Sequence, residues 1–288
     1  MLIIMSSCED KFTQVRTFDF PEHEANLAVT SLIREGKFPI IYISHSKGIE
    51  DNSEFEEIQN ATAKFYRDDE LRFNFLPFDN GRYVPDIVVS ESMDDTIKIG
   101  HTYTIEVSSD EYETTTASQR LPLPPNITNM EYTIEGTVND YGDKLDLLEI
   151  EIDDPGAESN FYTIELSAAG LDQNGNDIIN GVYYESQDLL VEYGYRYQYI
   201  PDLTFNGKKY IIRLGIWPDW KNYFSSIDKL VARVSTVSRD YYLFDISKSL
   251  NEEAIDNPFV EPVLVHSNFS KGYGVFGLIN SVEEEMDW

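Results

Sequence analysis

Short segments in which apolar and polar residues alternate recur along most of this 288-residue chain, with turn-forming residues between them. The clearest segment is 102–107 (TYTIEV), where every second side chain is apolar. A period of two places the apolar residues on one face of a β-strand, whereas a helix needs a period near 3.6. Asn80-Gly81 is a strong hairpin signal of the kind that joins such strands. The pattern therefore predicts an all-β, mainly antiparallel fold.

Strand-like segments lie on both sides of a proline-rich stretch. The predicted strands are residues 27–33, 40–44, 61–66, 71–75, 101–107 and 112–117, and then 132–136, 147–152, 161–167, 182–185, 189–200, 209–217 and 229–237. Between the two groups, Leu121-Pro122-Leu123-Pro124-Pro125 cannot form a central strand, because each proline lacks a backbone donor. We therefore predict two β-domains at 24–120 and 127–288, joined by a linker at 121–126.

One segment near the C-terminus breaks the two-residue rhythm. Tyr242 and Ile246 fall at helical spacing, Ser238 can cap the start of a helix, and Asp240 would lie near its positive end. Pro258 disfavours helical geometry at the residue before it. The sequence therefore predicts one helix at about residues 238–254.

The charge balance of the chain limits the partners that it can bind. There are 52 acidic and 22 basic residues, which give a formal net charge of -30. A field of this sign repels phosphate backbones, so nucleic acid is not an expected partner. The 41% of hydrophobic residues is enough to fill a core, and we expect a globular protein without a cofactor.

Cys8 is the only cysteine in the chain, which excludes an intrachain disulfide. It follows a short apolar stretch and the small residues Ser6 and Ser7, as in a lipoprotein signal whose cysteine becomes acylated. About four apolar residues precede the serines, whereas signal sequences usually have roughly 7 to 15, and no basic residue precedes them. Either the sequence starts too late, or Cys8 is an ordinary free cysteine. In the first case residues 1–23 are a signal remnant, an anchor and a tether to the bilayer.

Two groups of aromatic residues are candidates for contact with sugar rings. They are Tyr193, Tyr195, Tyr197 and Tyr199, and then Trp217 and Trp220. The tyrosines would share one face of a strand, and the tryptophans fall in a predicted loop where both indoles could be exposed. The competing interpretation is sheet packing, because tyrosine favours strands and cross-strand aromatic pairs stabilise them.

Motifs for metal binding and catalysis are weak. Asp172, Asn174, Asn176 and Asp177 could supply oxygen ligands to Ca²⁺, but the segment lacks the full EF-hand spacing and its Asn-Gly pair also fits a hairpin turn. The four histidines are far apart, and neither a Gly-x-Ser-x-Gly elbow nor a phosphate-binding glycine loop is present. A hydrolase based on paired carboxylates stays open, because only geometry can identify such a pair among 52 acidic residues.

The C-terminal region carries the most specific sequence features. They are Ser238-Arg239-Asp240-Tyr241-Tyr242-Leu243, then Asp256-Asn257-Pro258-Phe259-Val260-Glu261-Pro262-Val263, then Ser267-Asn268 and Gly272-Tyr273-Gly274-Val275-Phe276-Gly277. This signature resembles that of a family of Bacteroidota outer-membrane lipoproteins, catalogued as domain of unknown function 4249. We expect its residues to be structural, because Pro258 would stop the helix and the glycines would permit tight turns or close backbone approach.

The resemblance implies an N-terminal immunoglobulin-like sandwich, a C-terminal β-rich sandwich or barrel-like domain, and an outer-membrane lipoprotein. It also implies a TonB-dependent transporter as a partner, but it implies no activity. We therefore expect a non-enzymatic accessory or binding component of outer-membrane uptake, held in the bilayer through Cys8. The alternatives are a carbohydrate-binding module and a carboxylate-based hydrolase. The membrane face and the oligomeric state stay open.

Overall fold

The computed structural model describes residues 23–48, 51, 53, 57–86, 95–188, 190–256, 261 and 263–288. The strands are β1 (Leu27–Arg34), β2 (Ile41–His45), β3 (Thr62–Arg67), β4 (Glu70–Pro77), β5 (Arg82–Pro85), β6 (Thr102–Ser108), β7 (Thr115–Arg120), β8 (Ile127–Val138), β9 (Lys144–Asp153), β10 (Phe161–Leu171), β11 (Asp177–Gly181), β12 (Tyr184–Ser186), β13 (Glu192–Tyr193), β14 (Gln198–Pro201), β15 (Lys209–Ile216), β16 (Ser226–Val237) and β17 (Tyr273–Asp287). A 3-10 helix covers Pro218–Tyr223, and the helix α1 covers Arg239–Asp256.

These strands form two sheets. The larger has the order β13-β14-β10-β16-β17-β1-β2-β5-β4-β3-β6-β7, with β11 also paired to β10, and the smaller has the order β12-β15-β9-β8. The prediction of a mainly antiparallel all-β fold with one helix near the C-terminus is confirmed. Neither sheet closes into a barrel, so the barrel-like alternative for the C-terminal half is wrong. The edge strands of the smaller sheet are β8, which is bulged near Glu135, whose φ is 50°, and β12, which has only three residues.

The N-terminal half of the larger sheet curls around an aromatic core. Residues of β1 alternate between buried and less buried positions, as its two-residue period predicts. The Phe65 ring stacks on Phe73 at 4.9 Å and on Tyr103 at 5.5 Å, and large aromatic side chains of this kind contribute most to the burial of apolar area. Asn80 and Gly81 have φ values of 46° and 68° between β4 and β5, which confirms the predicted Asn-Gly turn.

The C-terminal half is a sandwich. The smaller sheet contributes Ile150 and Leu214 to its core, and β10 and β16 contribute Leu166 and Val234 from the opposite layer. On the outer face of the smaller sheet, the Arg213 Nε–H donates to Glu149 Oε1 at 2.9 Å, directly across the ladder. This distribution of apolar and charged residues keeps one face of the smaller sheet in the core and the other in solvent.

The strand β17 joins the two halves of the chain. Its Phe276 and Leu278 lie in the same buried cluster as Leu27 of β1, and β1 and β17 are parallel, unlike every other strand pair of the described residues. Its other edge pairs with β16, where Ile279 lies opposite Val237. Residues 121–126 contain no strand, as predicted. The division into two domains at this linker stays a prediction. The strand β17 pairs with β1, from the first predicted domain, and with β16, from the second.

The helix α1 packs against β17. It begins one residue after Ser238. The Ser238 hydroxyl accepts a hydrogen bond from the Leu278 N–H at 3.1 Å, so the prediction that it caps the first helical turn is wrong. Asp240 lies in the first turn, as expected from the helix dipole. No helix within the described ranges has the length and apolar composition needed to cross a bilayer.

Candidate functional site

The tyrosine row does not form a single strand. β13 and β14 pair as a tight hairpin, in which the Gly194 N–H donates to the Tyr197 carbonyl at 2.8 Å, so the predicted strand at 189–200 is wrong. Tyr193 and Tyr195 are exposed, whereas Tyr199 is fully buried. The four rings therefore do not share one face, and at least Tyr199 belongs to the core.

Asp245 of α1 explains this hairpin. Its buried Oδ2 accepts hydrogen bonds from the Arg196 N–H at 3.0 Å, the Tyr197 N–H at 3.1 Å and the Tyr199 hydroxyl at 3.1 Å. Burial, together with the nearby Asp245 charge, raises the pKa of Tyr199 far above its usual value. The hairpin turn supplies three hydrogen bonds to the buried Asp245 carboxylate, and these bonds outweigh the preference of the tyrosines for a continuous strand.

The proposed calcium loop is a hairpin turn between β10 and β11. Asp172 Oδ1 accepts from the N–H groups of Asn174 at 2.8 Å and Asn176 at 2.9 Å, and the Asn176 side-chain amide donates to Asp172 Oδ2 at 3.1 Å. These bonds use the oxygens of Asp172 to hold the turn. Among the described residues, no three His, Cys, Asp or Glu side chains are placed to hold a metal ion.

The smaller sheet gathers three aromatic side chains at one end. The ends of β8 and β15 and the starts of β9 and β12 coincide there, because Val138 pairs with Lys144, and Ile216 pairs with both Asp146 and Tyr184. The three aromatic residues are those in the β8–β9 turn, before β12 and after β15, namely Tyr141, Tyr183 and Trp217, which are 92%, 89% and 37% exposed. We call this region the aromatic end.

A polar cavity of about 270 Å³ lies at the aromatic end. Its walls are Asn139, Asp140 and Tyr141 of the β8–β9 turn and residues 185–188 in and after β12. Asn139 holds the turn, because its Oδ1 accepts from the N–H groups of Tyr141 at 3.0 Å and Asp143 at 2.9 Å. The cavity thus lies between a stabilised turn and a strand.

The hydrogen bonds in this cavity leave some polar groups open. The Trp217 Nε1–H donates to Glu185 Oε1 at 2.9 Å, and Asp188 Oδ2 accepts from the Tyr210 hydroxyl at 2.6 Å. Within the part of the chain that the structure describes, the Asp140 carboxylate and Glu185 Oε2 accept no hydrogen bond. The cavity therefore combines ordered groups with free acceptors.

Gln187 crosses the outer face of the smaller sheet into this region. A Cβ atom on Gly215 would come 2.9 Å from Gln187 Nε2 and 2.8 Å from Leu145 Cδ1, so the Gln187 side chain lies directly over this glycine. Gln187 Oε1 accepts a long hydrogen bond of 3.4 Å from the Thr137 hydroxyl of β8. The amide nitrogen remains available as a donor at the cavity.

Beneath the aromatic end, the buried Asp146 carboxylate forms an ion pair at 2.7 Å with Lys221, whose side chain is 27% exposed. The Tyr132 hydroxyl donates to the same carboxylate at 2.6 Å. Burial opposes ionisation of Asp146, but the hydrogen bonds from Lys221 and Tyr132 outweigh it and hold the pKa of Asp146 below its usual value. Lys221 Nζ also lies 5.1 Å from the ring centroid of Trp288 and 6.0 Å from that of Trp220.

Trp220, one of the two rings near Lys221 Nζ, is only 4% exposed. The segment that we had predicted as a loop is a 3-10 helix, and it turns the Trp220 ring inward against Trp288 at 5.2 Å. Of the two candidate tryptophans, only Trp217 is exposed. The sequence search missed Tyr141, although a bulky aromatic residue inside the turn sequence Asn139-Asp140-Tyr141-Gly142 is a signal that could have identified it.

Two buried carboxylates come close together at a different place. The Asn160 side-chain amide donates to Asp154 Oδ2 at 3.0 Å and to Asp202 Oδ2 at 3.4 Å. Asp154 Oδ1 also accepts from the N–H groups of Gly156 and Gly207. Both aspartates are buried, and neither is among the residues that line the neighbouring cavity of about 480 Å³ at Asn160, so this cavity does not expose the pair as a glycosidase site would.

The signature residues that lie within the described ranges make contacts inside the fold. Asp240 Oδ1 contacts His266 Nε2 at 2.9 Å, and Asp240 Oδ2 accepts from the Gln119 amide at 2.6 Å. The Asn268 side chain bonds both backbone groups of Phe276 at 2.9 Å.

Other signature residues place α1 and β17. The Tyr242 ring stacks on Phe161 at 4.0 Å, and a Cβ atom on Gly274, whose φ is 113°, would come 1.9 Å from the Val29 carbonyl oxygen. Arg239 is exposed at the start of α1. The remaining predicted residues lie outside the described ranges, namely Ser6, Ser7, Cys8, Asn257, Pro258, Phe259 and Pro262.

Comparison with known proteins gives one family. Residues 15–285 match the family described as Domain of unknown function (DUF4249). No curated protein matches the chain. One similar solved chain is described as giving structural insight into host cell surface retention of a 1.5-MDa bacterial ice-binding adhesin, with 9% identity, coverage of 91% of this chain and 63% of that chain, and a TM-score of 0.17. The chain thus spans less than two thirds of that protein, and a TM-score this low carries no argument.

Proposed function

The chain belongs to the family described as Domain of unknown function (DUF4249), and on this premise we propose that it is a non-enzymatic, lipid-anchored binding protein of the bacterial outer membrane. In this role it is an accessory component of uptake through a TonB-dependent transporter. The C-terminal signature and the Ser6-Ser7-Cys8 sequence support the proposal from the sequence. The aromatic end supports it from the structure.

The exposure of the aromatic end is the observation that carries the binding role. Tyr141 and Tyr183 are about nine-tenths exposed beside a polar cavity, although apolar rings are normally buried. The cavity is concave, and it places one aromatic side chain, Tyr141, beside several polar groups, a combination from which ligand-binding sites are built. Binding groups on loops supported by a rigid sheet are also common in proteins.

The anchor would be diacylglyceryl and acyl groups on Cys8, and Ser6 and Ser7 would shape the cleavage site. Each buried methylene contributes about 0.8 kcal/mol, so several acyl chains would hold the protein stably in the bilayer. The residues between Cys8 and β1 would serve as a tether.

The test is the Cys8→Ala variant in the full-length precursor, expressed in a Bacteroidota host with labelled palmitate. We expect Cys8→Ala to lose the label and to leave the membrane fraction. The matched control is Ser7→Ala, which keeps a small residue before the cysteine and should stay labelled and membrane-bound. Retention of both label and membrane association by Cys8→Ala would overturn the anchoring proposal.

The partner is tested on native envelopes by affinity purification of the wild-type lipoprotein. We expect an outer-membrane TonB-dependent transporter to co-purify reproducibly, and less of it with the soluble Cys8→Ala variant. If no such transporter is enriched over an unrelated lipoprotein of equal abundance, the accessory role is wrong. Anchoring and partner binding are measured separately, so either part can fail alone.

A further inference from the structure

We propose that the cavity at the aromatic end binds a neutral oligosaccharide. In this arrangement a sugar ring stacks on Tyr141, and Asp140, Glu185 and Gln187 bind its hydroxyl groups. The inference rests on the proposed function, because it names the ligand class of the binding surface described there.

The Tyr141 ring suits the apolar face of a sugar. The C–H groups on one face of a pyranose ring carry partial positive charge, and the face of an aromatic ring carries negative charge. Tyr141 lines the cavity and is 92% exposed, so most of its side chain is accessible to a ligand.

The open polar groups suit hydroxyls. A sugar hydroxyl both donates and accepts, and the cavity offers free carboxylate acceptors at Asp140 and Glu185 Oε2 beside an amide donor at Gln187 Nε2. Bonds to charged acceptors are stronger than bonds between neutral groups. The three groups can therefore orient a polyhydroxylated ligand that the aromatic ring holds only weakly.

The charge of the site excludes anionic ligands. Asp140, Glu185 and Asp188 all line the cavity, and the chain has a formal net charge of -30. Carboxylated, sulfated or phosphorylated sugars would be repelled. The cavity is close to the lower limit of small-molecule sites, roughly 300 Å³, so it accommodates a short part of a saccharide. Tyr183 and Trp217, at the same end of the sheet, can contact the units that extend outside it.

Two contacts support the site. The Trp217 Nε1–H donates to Glu185 Oε1, and the Thr137 hydroxyl donates a long hydrogen bond to Gln187 Oε1. Side chains that are held before the ligand arrives lose less conformational entropy on binding.

The experiment measures binding of the purified full chain to immobilised oligosaccharides. The probes are neutral glucose, mannose, galactose, xylose and N-acetylglucosamine oligomers, with galacturonic acid and glucosamine oligomers as charged counterparts. We expect at least one neutral series to bind with a dissociation constant of about 1 mM or lower, and Tyr141→Ala to weaken that binding about tenfold or more. Tyr141→Phe, which keeps the ring, should bind like the wild type.

The matched control is Tyr193→Ala, because Tyr193 is also exposed but lies on the β13–β14 hairpin. It should leave binding unchanged, and urea unfolding should show that both alanine variants are folded. The proposal is overturned if no neutral oligomer binds, if only a charged series binds, or if Tyr193→Ala and not Tyr141→Ala removes binding. Loss of this proposal would leave the anchoring and transporter results unaffected, because neither measures sugar binding.

Discussion

Gly277 of β17 lies against the Tyr241 side chain of α1, and a Cβ atom on Gly277 would come 2.6 Å from Tyr241 Cβ. Gly277 also pairs with Leu32 in the parallel ladder between β17 and β1. The helix therefore rests on the strand that connects the two halves of the chain. This contact gives a physical reason for two residues of the C-terminal signature, since only glycine lets α1 approach so closely.

We expect Gly277→Ala to destabilise the protein by about 1 to 3 kcal/mol, because the added methyl group must displace the Tyr241 ring or the helix. The matched control is Gly181→Ala at the end of β11, where an added Cβ has nothing within 4 Å. Urea unfolding followed by tryptophan fluorescence measures both. Equal midpoints for the two variants would show that the helix adjusts at no cost.

Asp245→Ala should lower the free energy of unfolding by about 3 kcal/mol or more. It leaves the buried Tyr199 hydroxyl and the part-buried N–H groups of Arg196 and Tyr197 without their acceptor, and a fully buried unsatisfied group costs about 1 to 3 kcal/mol. Asp172→Ala is the control, because Asp172 also accepts three hydrogen bonds in a hairpin, but water can replace them there. The prediction is wrong if the two variants unfold at the same urea concentration.

Lys221→Met should lower the free energy of unfolding by about 2 to 4 kcal/mol. Removing one partner of a fully buried ion pair costs about 3 to 5 kcal/mol, and the cost is smaller here because Lys221 is partly exposed. The substitution leaves the Asp146 charge buried with only the Tyr132 hydroxyl and a backbone donor. The control is Lys144→Met, which breaks an ion pair with Glu135 that is mostly exposed and should change stability little. Calorimetry at neutral pH compares the two, and a larger effect of Lys144→Met would contradict the burial argument.

Asp202→Asn should become more stabilising, relative to the wild type, as the pH rises. Burial raises the pKa of Asp202, helped by the nearby Asp154 charge, and its Oδ1 is buried without a hydrogen-bond partner. A folded-state pKa above the unfolded value means that the wild type loses stability as the pH rises from the unfolded pKa through the folded pKa. The amide of asparagine does not ionise, so the variant avoids this loss.

The measurement is the difference in unfolding free energy between Asp202→Asn and the wild type at about pH 4 and about pH 7. Asp172→Asn is the control of opposite sign, because hydrogen bonds from Asn176 lower the pKa of Asp172. Asp172 contributes stability above its unfolded pKa, which is lost as the pH falls, so Asp172→Asn should become relatively less stable as the pH rises. Parallel pH profiles for the two variants would refute both assignments.

Local sequence patterns predicted most of the strands and the helix. The segment 102–107 became β6 at Thr102–Ser108, and the predicted helix at 238–254 became α1 at Arg239–Asp256. The prediction failed at 189–200, where alternation of tyrosines suggested one long strand. The patterns also missed β5 and β11, because strands of four or five residues have too few alternations to stand out. Gly274 and Gly277 were interpreted as turn or close-approach positions before a final strand, but both lie inside β17 at Tyr273–Asp287.

The candidate site was predicted less well. Trp217 was identified, but Tyr141, Tyr183, Glu185 and Gln187 were not, because they lie in three segments that are distant along the chain. Their proximity depends on the register of β12, β15, β9 and β8. The residue spacing within any one of these segments does not predict the register between the strands.

The sequence by itself determined which residues face the core in most of the strands, where α1 lies along the chain, and which family the chain resembles. These properties depend on side-chain period, helix breakers and local motifs, all of which act over a few residues. Only the tertiary structure decided that β1 and β17 pair in parallel, that Asp245 folds the tyrosine segment into a hairpin, and that three loops meet at the aromatic end. The reason is that every residue except proline offers the same backbone donor and acceptor, so the choice of strand partner and register comes from packing between distant side chains.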